Sequence, residues 1–192
     1  MRGKVGIVGG CEQPTLDDVG VSHQIRHCMY RRDREAERLT ALDESFLDIE
    51  NENVHMHVGS VGIFEGGPLL RPDGGLDMER IRSFVGPALR RSQRFRQRLE
   101  TVPVFGRRVW VDDPRFNADY HLRHTSLPEP GDARLLKRLA ARILSQKLDR
   151  GKPVWEIWVV EGLEGDRFAL IAKAHHCMVD GIAGLDLLKI GR

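Results

Sequence analysis

The chain has 192 residues and a mass of 21.8 kDa, with 41% hydrophobic and 30% charged residues, enough for one ordinary core and too few for two large domains. Its 30 basic residues, 24 Arg and 6 Lys scattered along the chain, face 28 acidic ones for a formal charge of +2, which argues against nucleic acid as a partner. No apolar run nears ~18 residues, no signal-like apolar stretch follows the basic start, and Cys11, Cys28 and Cys177 lack CxxC spacing, so the expectation is a cytoplasmic protein with free thiols.

Residues 1–35 read as a flexible leader: five glycines, Arg31, Arg32 and Arg34, and little periodic apolar surface. Val5 to Gly10 lacks the glycine spacing of a dinucleotide loop. His23, His27 and Cys28 have helical spacing but no completing ligand, so no metal is expected there. The globular domain is expected over 36–192.

The first strand is predicted over Val54–Phe64, where Val54, Met56 and Val58 alternate with His55, His57 and Gly59. After a Gly/Pro-rich loop, Asp77 is predicted to cap a helix with Ile81, Phe84, Val85, Ala88 and Leu89 on one face. Pro87 predicts a kink or break near Val85. Arg90, Arg91, Arg94, Arg96 and Arg98 then read as a solvated face. Val109–Val111 is a short strand. Asp132 caps a second helix whose face is Leu135, Leu136, Leu139, Ala140, Ile143 and Leu144, with Gly151 and Pro153 as its stop. Val154–Glu161 and Arg167–Ala174 are expected to form a hairpin, His175 to leave it, and a last helix to run over Ile182–Leu188.

The segment His175-His176-Cys177-Met178-Val179-Asp180-Gly181 puts two imidazoles at a strand end and an Asp-Gly turn before a helix. Adjacent strand residues point oppositely, so the two rings have different roles. His176 shares the register of Phe168, Leu170, Ala172 and Ala174 and is expected inside, where a neutral imidazole is suited to general-base work; His175 shares that of Lys173 and is assigned a supporting role. By itself a His-His pair fits a structural role as well as a catalytic one. Cys177 is a competing nucleophile. His55 and His57, and His121 and His124, read as exposed or hydrogen-bonded imidazoles rather than ligands, and Trp110, Trp155 and Trp158 as packing residues.

Four ordered segments make the sequence resemble the bacterial wax ester synthase and acyl-CoA:diacylglycerol acyltransferase family. Besides HHxxxDG, Leu39 to Leu47 is similar to the family's LSPLDxxFL, Phe116 with Asp119 to Arg123 to the segment before its long helix, and Leu148 to Trp158 to LDRxRPLWExW. The resemblance implies an α/β chloramphenicol acetyltransferase-like half-domain with a mixed sheet and flanking helices, one of two halves that enclose a tunnel. It implies His176 as general base and Asp180 as mainly structural, with Gly181, Pro153 and Trp155 in the same motifs. The implied reaction moves a long acyl group from acyl-CoA to diacylglycerol or a fatty alcohol, with acyl-CoA as co-substrate and no metal or bound cofactor. The implied partners are a separately encoded carboxy-terminal half and a peripheral membrane or lipid-inclusion surface. On this reading the chain is an amino-terminal half, truncated after the HHxxxDG helix and expected to be inactive alone; the alternative is an inactive lipid-binding fragment.

Overall fold

A computed structural model describes residues 36–103 and 106–178. The leader with its His23, His27, Cys11 and Cys28, together with Asp180, Gly181 and the helix expected over Ile182–Leu188, lies outside the described residues.

The main sheet has four strands in the order β2-β7-β6-β5, formed by β2 (His57–Glu65), β5 (Leu122–Ser126), β6 (Trp155–Leu163) and β7 (Arg167–His175). β7 pairs antiparallel with β2 and β6, whereas β5 and β6 are parallel, so the sheet is mixed. Parallel neighbours need a crossover, and the helix Ala133–Leu144 supplies it. A second sheet of three strands, β1-β4-β3, consists of β1 (Glu37–Arg38), β3 (Gln97–Thr101) and β4 (Arg108–Asp112). The helices are α1 (Ala41–Ile49), α2 (Met78–Arg91), the single turn α3 (Ala118–His121) and α4 (Ala133–Leu144).

Each long helix begins where a side chain satisfies an otherwise free amide. Thr40 and Asp43 form a reciprocal capping box on α1. Asp77 accepts from the Arg80 amide at 3.0 Å and Asp132 from the Leu135 amide at 2.8 Å. Leu136, Ala140 and Ile143 of α4 share a core with Val160, Ala169 and Ile171 on one face of the sheet. Ile81, Val85 and Leu89 of α2 share another with Leu122, Ile157 and Phe168 on the opposite face. The β6–β7 hairpin closes through Gly165 and Asp166 at φ 75° and 53°, the left-handed region that a tight turn requires.

Four expectations are corrected. The first strand begins at His57, not Val54, because the Asn51 carboxamide oxygen accepts the amides of Asn53 and Val54 and holds those residues in a turn. α2 is not broken near Val85 and continues across Pro87 to Arg91; Ser83 and Pro87 are both exposed, so the carbonyl deprived of a donor lies on the wet side. Phe84 falls outside the buried stripe and is 59% exposed. α4 ends at Leu144, well before Gly151, where the Ser145 amide and Lys173 take up its last carbonyls. No helix among the described residues is long and apolar enough to cross a membrane.

Candidate active site

His175 and His176 stand at the end of β7, but in the reverse of the predicted arrangement. His175 does not leave the hairpin: it is the last residue of the strand, fully buried and opposite His57 on β2. His176 is not interior. It opens a 3-10 turn, His176–Met178, and is half-buried, its ring stacked 4.9 Å from that of Phe46 on α1. Its amide donates to the Met56 carbonyl at 2.9 Å, which anchors the turn to the chain entering β2.

The inversion has a tertiary cause. Lys173 marks its register as solvent-facing in the sequence, yet that face lies under α4, where the Lys173 ammonium is 2% exposed and donates to the carbonyls of Ile143 and Gln146 at 3.0 and 2.8 Å. Cations are favoured at a helix C-terminus, which offsets the burial. Burial still lowers the Lys173 pKa, with the carboxylate of Glu156 opposing it. The buried register is therefore Ala169, Ile171, Lys173 and His175, and the register of Leu170, Ala172 and Ala174 is only partly covered.

A carboxylate that motif reading assigns no role sits beneath the histidines. Glu50 caps the C-terminus of α1, with a side chain 1% exposed. It accepts from Arg150 Nε at 2.8 Å and from the Met56 amide at 3.3 Å, with Lys147 Nζ at 3.6 Å. Arg150 also donates to the Leu47 carbonyl at 2.8 Å, tying α1 to the loop after α4. Burial pushes the Glu50 pKa up, but the hydrogen bond and charge of Arg150 outweigh it and hold the carboxyl below its usual range. The only sequence signal was Arg150, within the LDRxRPLWExW-like segment; Glu50 belongs to no spacing pattern.

His175 is neutral in this setting. Burial lowers its pKa to about 4, with Glu50 opposing and Arg150 reinforcing. Its Nδ1 accepts from the Cys177 amide at 3.1 Å, so the ring proton resides on Nε2, which has no hydrogen-bond partner and lies 3.6 Å from Glu50 Oε1.

Pro153, Val154 and Trp155 buttress the same corner. The Pro153 carbonyl accepts the Trp155 amide and the Val154 carbonyl accepts the His175 amide, both at 2.9 Å. Trp155 is 1% exposed, donates from Nε1 to the Phe95 carbonyl at 2.9 Å, and stacks on His121 at 4.6 Å between ring centroids. His121 is likewise buried, its Nδ1 donating to the Trp155 carbonyl at 2.8 Å. His57 Nε2 donates to the Leu144 carbonyl at 2.6 Å, and His124 Nε2 lies 3.3 Å from Glu161. His55 precedes β2 and approaches the Glu52 carbonyl at 3.3 Å.

Cys177 does not suit a nucleophile. Its side chain is buried, its thiol lies 3.0 Å from His175 Nδ1, and burial pushes its pKa up to about 12. Native protein treated with iodoacetamide near neutral pH should leave Cys177 unmodified in peptide mass maps, and urea should expose it; rapid native labelling would contradict this burial.

Three comparisons bear on this arrangement. The family model described as wax ester synthase/diacylglycerol acyltransferase catalytic domain matches residues 39–191. A Mycobacterium tuberculosis protein named as a probable diacylglycerol O-acyltransferase is 40% identical over 153 residues, covering 78% of this chain and 32% of that protein. Another from the same organism, similarly named, is 39% identical over 149 residues, covering 77% of this chain and 53% of that one. The chain thus spans about a third to a half of the relatives it matches. Among solved structures, the wax ester synthase/diacylglycerol acyltransferase from Marinobacter aquaeolei VT8 superposes with a TM-score of 0.62 at 32% identity, over 78% of this chain and 36% of that one. A starter condensation domain of rhizomide synthetase, solved with C8-CoA, gives 0.66 at 10% identity, over 85% of this chain and 36% of that one, a likeness of fold alone.

Proposed function

Because the chain belongs to the wax ester synthase/diacylglycerol acyltransferase family, we propose that it supplies the base-bearing wall of a site that moves an acyl group from acyl-CoA to a hydroxyl of diacylglycerol or a fatty alcohol. The observation that carries this reading is the asymmetry of the two histidines: His175 is buried and neutral, while His176 is half-exposed on an anchored turn.

In the proposed step, an imidazole nitrogen of His176 takes the hydroxyl proton as the alcohol oxygen attacks the thioester carbonyl carbon. The new C–O bond forms, the tetrahedral intermediate collapses with cleavage of the C–S bond, and CoA leaves as a thiolate that recovers the proton from the imidazolium. General-base transfer of this kind calls for no acyl-enzyme, metal or bound cofactor. His175 is a positioning residue, holding the turn through its bond with the Cys177 amide. Pro153 and Trp155 hold the strand beside it; Asp180 and Gly181, outside the described residues, are proposed to act as structural members of the motif.

The domain proposed over 36–192 would present His176 on a partly covered face, so a second body is proposed to complete the tunnel, with the acyltransferase halves meeting over that face, and residues 1–35 are proposed as a leader that precedes the domain in sequence. Peripheral attachment to a membrane or lipid inclusion follows from the substrates proposed. The test is to supply labelled palmitoyl-CoA with diacylglycerol or a fatty alcohol to the chain alone and mixed with a carboxy-terminal domain from a relative. The expected result is labelled ester and free CoA thiol in equal amounts from the mixture; CoA release without ester would sink the reading.

A further inference from the structure

We propose that Glu50 is a positioning residue for the acyl transfer: acting through Met56 and His175, its carboxylate fixes the turn that presents the His176 imidazole. This inference rests on the acyl-transfer reading for the reaction and on the geometry for the positioning.

The carboxylate is divided between two sides. Its Oε2 faces cations, with Arg150 Nε at 2.8 Å, Arg150 Nη2 at 2.6 Å and Lys147 Nζ at 3.6 Å. Its Oε1 faces the turn, accepting the Met56 amide at 3.3 Å and lying 3.6 Å from His175 Nε2. Every one of these neighbours presents an N–H, so the position calls for a group that only accepts. Burial opposes the charge, and the hydrogen bond and charge of Arg150 outweigh burial. The side chain is 1% exposed, which leaves little room for water to take its place.

Met56 carries the constraint to the candidate base. It precedes β2, so pairing within that strand does not fix it. Its amide is held by Glu50, and its carbonyl accepts the His176 amide at 2.9 Å. A second route runs through His175, whose Nε2 points at Glu50 while its Nδ1 accepts the Cys177 amide at 3.1 Å. The carboxylate thus stands behind both amides of the turn. Phe46, one helical turn before Glu50 on α1, adds the ring itself through its stack on His176. Arg150 donates to Glu50 and to the Leu47 carbonyl alike, which holds this last turn of α1 against the loop after α4. Backbone and ring of His176 are therefore both referenced to one turn of one helix.

A buried ion pair contributes little net stability compared with well-packed apolar residues, and its value here lies in the geometry it fixes. General-base transfer needs that geometry, because a displacement of about 1 Å can cost roughly 10²-fold in rate. Glutamine has the shape of Glu50 but cannot replace it. Either orientation of a carboxamide sets its NH₂ against donors, those of Met56 and His175 on one side or those of Arg150 and Lys147 on the other.

The test measures positioning first, without turnover. Amide hydrogen exchange of the 192-residue chain is followed residue by residue by NMR. Glu50→Gln should speed exchange of the His176 and Cys177 amides at least about tenfold relative to those of Leu170 and Ala172 within β7. Asp132→Ala, which removes the N-cap of α4, should lower the melting temperature without singling out those two amides. Arg150→Gln takes the guanidinium from the same carboxylate at a partly exposed site; it should loosen the same two amides, and it carries the test if Glu50→Gln does not fold.

A second arm measures ester synthesis by the complemented assembly well below the melting temperature of each variant. Glu50→Gln should lower kcat about 10- to 100-fold while KM for palmitoyl-CoA stays within about threefold. Glu50→Asp, an acceptor-only anion on a shorter stem, should recover part of that loss, and Asp132→Ala should keep the wild-type kcat. Unchanged exchange at His176 in a folded variant, or a fall in kcat that Asp132→Ala matches, would overturn the positioning role. Selective loosening of the turn in a wild-type assembly that makes no ester would instead remove the acyl-transfer reading and leave Glu50 as the anchor of the turn.

Discussion

Replacing His176 with alanine should lower ester synthesis by the complemented assembly about 10²- to 10⁴-fold, the span expected when a general base is removed. The loss should fall on turnover rather than on substrate affinity, since the ring is proposed to act on a proton in flight. The fold should persist, because the substitution removes a half-buried ring and its stack on Phe46 but keeps the amide bond to the Met56 carbonyl. His175→Ala should behave differently: it removes the acceptor of the Cys177 amide from a fully buried site, so it lowers thermal stability together with activity. Steady-state kinetics beside melting curves separate the two. Normal activity in His176→Ala, with none in a folded His175→Ala, would show that the roles had been exchanged.

Glu50→Ala should be the most destabilising change in the polar cluster, on the order of 3 kcal/mol, because it leaves Arg150, Lys147 and the Met56 amide without their common acceptor. The cost falls at the lower end for a broken buried pair, since the side chains of Arg150 and Lys147 are about a third exposed and can be hydrated. For a chain of this size the midpoint of thermal unfolding should drop by about 6–12 °C.

The same cluster makes stability depend on pH. Above His175's ordinary pKa of 6.5 the imidazole is neutral in both folded and unfolded chains. Between 6.5 and about 4 the unfolded chain takes up a proton that the folded one refuses, so stability falls through that window, by up to roughly 3 kcal/mol. Glu50 adds a loss further into acid: its contribution is present above the usual carboxylate pKa and disappears as pH falls through its lowered folded value. Melting temperatures taken across this range should decline in wild type and decline less in His175→Gln. A flat wild-type profile would mean that His175 is not held neutral.

The elements with the strongest local signals were legible in the sequence. Asp77 and Asp132 mark helix starts through their own side-chain oxygens, the 3.6-residue apolar spacing of α4 appears as a buried stripe, and the two β-rich runs Val154–Glu161 and Arg167–Ala174, five residues apart, form the β6–β7 hairpin. The HHxxxDG-like and LDRxRPLWExW-like segments indicated where the site would form, and they meet at the corner where the Val154 carbonyl accepts the His175 amide. The short strands β1, β3 and β5 were not legible: two to five residues carry too little periodicity, and β5 owes its existence to the pairing with β6 that α4 makes possible.

What only the tertiary structure decided is which side of β7 is inside. Alternation along a strand defines two faces but does not say which one a helix will cover. Lysine in one register and alanine in the other pointed to the wrong face, because the positive charge of Lys173 finds its partners in the Ile143 carbonyl of the last turn of α4 and the Gln146 carbonyl just beyond it, backbone atoms visible in no side-chain pattern. Glu50 was hidden for the same reason, being 100 residues from Arg150 along the chain. The sequence determined the residues and the local turns that bring two imidazoles to a strand end; long-range packing determined that His175 is sealed and His176 is available.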